Sequence, residues 1–71
     1  MQVLKEEIRN DILFSAKMLF GEYGYSSTSM DKIAKKAGVS KSNLYNYFEK
    51  KEDIFEALTK DTVYRLMVIK N

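Results

Sequence analysis

The chain has no cysteine, no histidine, no proline and no tryptophan, and only three glycines among its 71 residues. Without cysteine, disulfides are impossible, and without cysteine and histidine the usual zinc sites cannot be built. Nucleophile systems of the Ser-His-Asp and Cys-His kinds fall with the same absences. The ten Asp and Glu residues are scattered, as surface charge is, and do not suggest an acid/base pair. No enzyme, metal or cofactor is expected. A chain of this length permits one domain of marginal stability, and with no covalent staple it must rely on helix packing or on a partner chain. Long apolar runs are missing too. The longest, residues 66–69, is far short of a membrane span, and the N-terminus has no apolar segment of the signal-peptide kind. No contact with a membrane is expected, and the protein is expected to be soluble and cytoplasmic.

What is present suits a folded helical domain: 45% of residues are hydrophobic and 31% charged. The fold class read from this is all-α. In residues 3–23, Leu4, Ile8, Ile12, Ala16, Leu19, Phe20 and Tyr23 recur at spacings of three and four, the pattern of an amphipathic helix. Leu13 and Phe14 widen the stripe, which predicts a helix buried on more than one face. Gly21 predicts either close packing or a frayed last turn. Gly24 is the better stop signal, with Tyr25 folding back on the helix end.

Residues 28–51 hold two short helices joined by a tight turn. Thr28 and Asp31 have the spacing of a short-armed capping box, so a helix is expected to start at Thr28. Ile33, Ala34 and Ala37 give it an apolar stripe, and Gly38 sits where a left-handed residue ends it at about Ala37. Val39 fills the inside of the turn, and Ser40 caps a second helix over residues 41–48 whose inward face is Leu44 and Phe48. Ala34 is small, as the close crossing of two helices on so short a turn requires.

Lys41, Ser42, Asn43, Tyr45, Asn46 and Tyr47 are left on the outside of that second helix. Residues 31–51 contain six Lys against one Asp and one Glu, a net charge of +4, while the segments before and after are each −1. A polar helix in a local positive field has the chemistry to hold phosphates and read base edges in a DNA major groove. A solvated face on a small bundle is the plain alternative, and the turn grammar favours DNA. Lys41 and Lys51 supply point charges for phosphate, and Lys51 also lies where the last helix presents free N–H groups to an anion. Asn43 suits two edges of an adenine. Ser42 and Asn46 suit base or backbone, and Tyr45 and Tyr47 suit phosphate through their hydroxyls, although Tyr47 borders the buried stripe.

A last helix is expected from Lys51, with Glu52 and Asp53 in its first turn and Ile54, Phe55 and Leu58 facing inward, Phe55 and Leu58 against Phe20 and Phe48. Beyond it Val63, Tyr64, Leu66, Met67, Val68 and Ile69 are apolar with nothing evident to bury against, the pattern of a helix that continues into another domain or meets a partner. The division expected is a DNA-binding domain over residues 1–58 and a connecting helix over 59–71.

Several motifs together are specific: Ile12-Leu13 through Leu19-Phe20, Gly24-Tyr25, Thr28-Ser29, Ile33-Ala34, Ala37-Gly38-Val39-Ser40-Lys41, Leu44-Tyr45, Tyr47-Phe48 and Lys51-Glu52. Over residues 8–58 the chain resembles the N-terminal DNA-binding domain of the tetracycline-repressor (TetR) family of bacterial transcription regulators. The resemblance implies three helices enclosing a helix-turn-helix, and a fourth leading to a larger helical domain that dimerises and binds a small-molecule inducer. It also implies that the segment from Ser40 to Tyr47 enters the major groove of a palindromic double-stranded operator, that Thr28, Tyr45, Tyr47 and Lys51 hold phosphates, and that inducer spreads the two DNA-binding domains of a homodimeric repressor. Length is the departure: the chain stops inside the segment matching the fourth helix, so the inducer pocket and main dimer surface are expected to lie elsewhere. A small interaction module using residues 63–69 is the alternative function.

Overall fold

A computed structural model describes the backbone of residues 4–70 and the side chains of residues 5–60. Its helices are α1 (Leu4–Tyr23), α2 (Met30–Ala37), α3 (Lys41–Tyr47) and α4 (Lys51–Lys70), with no strand among the described residues. The all-α expectation is borne out, and each element begins and ends within a residue or two of its sequence signals. The expected burial of Leu4 and the exposed apolar run of residues 63–69 concern side chains outside the described residues.

α1 is the support on which the others lie: it packs against both α2 and α4, and α2 in turn packs against α3. Ile12, Ala16 and Leu19 of α1 meet Ile33 and Ala34 of α2, Leu44 of α3, Phe48 and Ile54 of α4 in one buried cluster. Ile12, Ile33, Leu44 and Ile54 are fully enclosed. Each such side chain contributes about 1.5–3 kcal/mol relative to exposure. With no cysteine to form a disulfide, this cluster is what holds the described helices together.

The buried stripe of α1 is narrower than its apolar residues suggest. Phe14 is 62% exposed and Met18, one turn on, is also open to solvent. Phe14 stands two residues from both Ile12 and Ala16, roughly opposite them on a helix of about 3.6 residues per turn, so the side of α1 that meets α2 and α4 cannot include it. Leu13 alone widens the stripe, packing on the edge of the core. Tyr23 is likewise exposed, its ring lying under the Lys32 ammonium at 5.6 Å. Ser15, a polar residue next to Ala16, is buried. Gly21 is neither closely packed nor frayed: the helix continues to Tyr23 and the space around the glycine is open.

α1 does end at Gly24, whose φ of 92° is left-handed and whose N–H bonds the Phe20 carbonyl at 2.9 Å. Tyr25 then folds back as expected, its ring 5.2 Å from that of Phe20. Phe55 completes the group at 5.3 Å from Tyr25 and 6.0 Å from Phe20. This corrects the inward assignment of Phe55: it is 46% exposed and caps an aromatic cluster at the rim. Phe48 is buried elsewhere, under the Arg9 guanidinium at 5.5 Å, while Leu58 is half-buried against the core.

Candidate nucleic-acid interface

The turn between α2 and α3 follows from four consecutive residues. Ala37 ends the helix, and Gly38 takes a φ of 77°. Its N–H bonds the Lys35 carbonyl at 3.2 Å, and the Val39 N–H bonds the Ala34 carbonyl at 3.0 Å. That pair is a Schellman motif, completed by Val39 packing onto the core. Ser40 then turns extended at φ −72° and ψ 158°, and its hydroxyl accepts the Asn43 N–H at 3.0 Å, which starts α3. Ser40 is therefore a capping residue first. Its hydroxyl also lies 3.4 Å from that of Ser42.

At the start of α2 the cap is Ser29 and not Thr28. The Ser29 hydroxyl accepts the Lys32 N–H at 3.2 Å. Thr28 is 1% exposed, donates its hydroxyl to the Gly24 carbonyl at 2.9 Å and its N–H to the Tyr25 carbonyl at 3.2 Å. Four hydroxyl residues run from Ser26 to Ser29, and each has the chemistry of a cap. What separates Thr28 is its methyl group, which favours the interior, where its hydroxyl finds a carbonyl to bond. The proposed Thr28–Asp31 box does not form, and both donors that Thr28 would offer a phosphate are spent inside the turn.

Asp31 instead pairs with Lys41, oxygen to nitrogen at 3.1 Å, joining the first turn of α2 to the first residue of α3. The hydrogen bond to Asp31, and then the charge of Asp31, raise Lys41 above its ordinary 10.5. Ten residues of sequence separate the two, so the pair was not legible until the helix crossing was known.

α3 divides as its sequence predicts. Leu44 and Phe48 are buried, while Lys41, Ser42, Tyr45 and Asn46 are exposed and Asn43 and Tyr47 are half-exposed. Tyr45 is 44% open, and Tyr47 rests partly on the core, so its ring is shared between packing and surface. Asn46 donates its side-chain amide to the Asn43 side-chain oxygen Oδ1 at 3.5 Å, a long bond that holds neither side chain firmly. Lys51 differs in burial from the other lysines whose side chains are described. Half-buried, it donates to the Tyr25 carbonyl at 2.8 Å and stands 4.3 Å from the centre of the Tyr25 ring. Partial burial, then the charge of Glu52, pushes the Tyr25 phenol up from its ordinary 10.0.

A capped helix, a left-handed glycine turn and a second capped helix that shows polar side chains outward make this a helix-turn-helix domain, carried on α1 and followed by α4. Residues 12–58 match the family model described as bacterial regulatory proteins, tetR family, and the chain belongs to that family. The HTH-type transcriptional regulator AcrR of Shigella flexneri is 43% identical over 53 residues, covering 75% of this chain and 25% of the relative. The HTH-type transcriptional activator FasR of Mycolicibacterium smegmatis is 36% identical over 63 residues, covering 89% of this chain and 29% of the relative. A negative transcriptional regulator of the biofilm operon icaADBC, IcaR of Staphylococcus aureus, is 38% identical over 53 residues, covering 75% of this chain and 28% of the relative. The chain thus spans roughly a quarter of the length of these regulators. No described helix is long and apolar enough to cross a membrane.

Proposed function

We propose that residues 28–51 bind double-stranded DNA, with α3 in the major groove, as the reading unit of a transcription regulator that represses its target. The observation that carries this is the division of α3: Leu44 and Phe48 fasten it to the core while Lys41, Ser42, Asn43, Tyr45 and Asn46 face outward from the one basic segment of the chain. Asn43, with Ser42 and Asn46 beside it, is the candidate for base edges. Lys41, Tyr45 and the outer edge of Tyr47 are the candidates for phosphate, and Ser40 sets where α3 begins. The N-terminus of α2, with Ser29 as its cap, offers a second place where backbone N–H groups point outward at a phosphate.

Repression is supported by IcaR, named a negative regulator, while FasR, named an activator, keeps the opposite sign in view. A palindromic operator held by a homodimer, an inducer bound in a domain beyond this stretch, and a cytoplasmic location complete the proposal. α4 runs unbroken across residue 58, so a boundary there would separate functions along one continuous helix.

Titration of the chain with mixed-sequence duplex DNA over a range of salt tests the reading. Binding that falls steeply with salt is expected, because neutralising each phosphate releases about 0.9 counterion. Absence of binding at low salt would remove the proposal and leave a protein-interaction role through the apolar end of α4.

A further inference from the structure

Counted along the sequence, the basic excess is confined to residues 31–51, and Arg9 falls in a segment of net charge −1. The fold moves it. Its guanidinium carbon stands 5.5 Å from the centre of the Phe48 ring, and Phe48 is the residue that ends α3. α3 has no basic residue in its own last turn, and Arg9 brings a cation there from α1. Lys41 is the first residue of α3, so a positive charge stands near each end of the helix. Arg9 is exposed although the ring beside it is buried, so the cation keeps an open side toward solvent. Among the described residues no carboxylate pairs with it and no acceptor takes its N–H groups. The ring attracts the charge and offers no lone pair, so the five donors of the guanidinium are left for a ligand. Lys5 and Glu6, one turn earlier on α1 and both exposed, offset each other in charge.

We propose that Arg9 is a further phosphate ligand for DNA, held on Phe48 at the end of α3 opposite Lys41, so that the two cations meet the strands on either side of the groove. The proposal rests on the DNA-binding reading above. The dimensions agree with it: the seven residues of α3 span about 10 Å at about 1.5 Å each, and the major groove of B-DNA is about 12 Å wide. A guanidinium takes a phosphate through two parallel N–H bonds, a geometry that an ammonium cannot offer. A cation already resting on a ring also loses less side-chain freedom when it meets a phosphate than an arginine that moves freely in water.

The test compares Arg9→Met, which keeps an apolar cover on the ring and loses the charge, with Arg9→Lys, which keeps the charge and loses the fork. Two quantities are read on the whole chain: the salt dependence of binding to mixed-sequence duplex DNA, and the midpoint of urea unfolding. Arg9→Met is expected to make the slope shallower by about 0.9, which weakens binding by roughly eight-fold more at about 0.1 M salt than at about 1 M. Arg9→Lys should keep the slope of the parent and bind only a few-fold more weakly. An unchanged slope in Arg9→Met overturns the proposal, whether or not binding weakens. Weaker binding at that unchanged slope, with a lowered urea midpoint, would reduce Arg9 to a clamp on Phe48. Should Arg9→Met not fold, Arg9→Gln, a neutral donor, decides by the same slope. If the parent chain binds no duplex at low salt, the DNA-binding reading itself fails and this proposal falls with it, an outcome distinct from a slope that only the substitution leaves unchanged.

Discussion

Asp31 and Lys41 face each other at 3.1 Å across the turn, and they are the acid and the base that open the two helices of the pair. Each does two things. Asp31 lies in the first turn of α2, where a negative charge favours the helix dipole, and Lys41 lies on the face proposed for DNA. A phosphate arriving at Lys41 must compete with Asp31 for the ammonium.

Asp31→Asn is therefore expected to act in opposite directions on stability and binding. The free domain should melt slightly lower at low salt, and the difference should vanish at high salt because both side chains are exposed and screened. Affinity for mixed-sequence DNA should rise, and the rise should disappear in a Lys41→Ala background. The pH sign follows from Lys41. Its folded value is raised above 10.5, so the contribution is full below 10.5 and is lost as pH rises through the folded value. Thermal melts of the variant and the parent should converge at alkaline pH and remain apart at neutral pH.

Gly38→Ala isolates the cost of one backbone angle. Nothing lies within 4 Å of the added Cβ, so crowding plays no part, and the left-handed φ of 77° alone is penalised. A loss of about 1–2 kcal/mol is expected in urea unfolding. Gly38→Val should lose more, because a β-branched side chain fits that conformation worse. Equal stability for all three would mean that the turn opens readily to another conformation.

These positions mark what was legible in the sequence. Gly24, Gly38 and Ser40 have local jobs, each set by one angle or one hydroxyl, and their roles could be read from neighbours within a few residues. Leu44 and Phe48 were legible because a helix repeats. The failures are of three kinds. Phe55 is an apolar residue at the margin of a stripe, and how wide a stripe is buried depends on how many helices cover it, which no local pattern records, whereas Phe14 stands roughly opposite its stripe, where helix periodicity by itself leaves it in solvent. Thr28 and Ser29 are adjacent equivalents as caps, and the choice between them was made by burial. Lys51 looked like a surface charge because its partner is a backbone carbonyl, 26 residues distant, and every residue has one.

Asn43→Ala is the test of base reading. Its effect should depend on sequence: about 1–3 kcal/mol lost on a site selected from a random duplex library, and little on unselected DNA. The Asn43–Asn46 bond at 3.5 Å is too long to hold the side chain away from a base, so little stability should change. Equal losses on selected and unselected DNA would move Asn43 from base edge to phosphate.

Two copies should bind far better than one, and the reason is geometric. A single helix-turn-helix reads a single half-site, and dimeric readers place two such units about one helical turn of DNA, or a multiple of it, apart. The helix pair, its turn and its packing on α1 all lie within one chain, so on the proposed reading one copy has one half-site to read. Each unlinked copy loses its own translational and rotational freedom on binding. Joining two makes the second event intramolecular, at an effective concentration of about millimolar for a short linker. A coiled-coil dimeriser fused after Asn71 is therefore expected to tighten binding to a palindrome by roughly 10²–10⁴ while leaving the half-site affinity per copy unchanged. Analytical ultracentrifugation of the unfused chain completes the comparison. If that chain is already a dimer in solution and holds the palindrome as tightly as the fusion does, residues 1–71 contain a dimer surface of their own, and α4 supplies more than a connection.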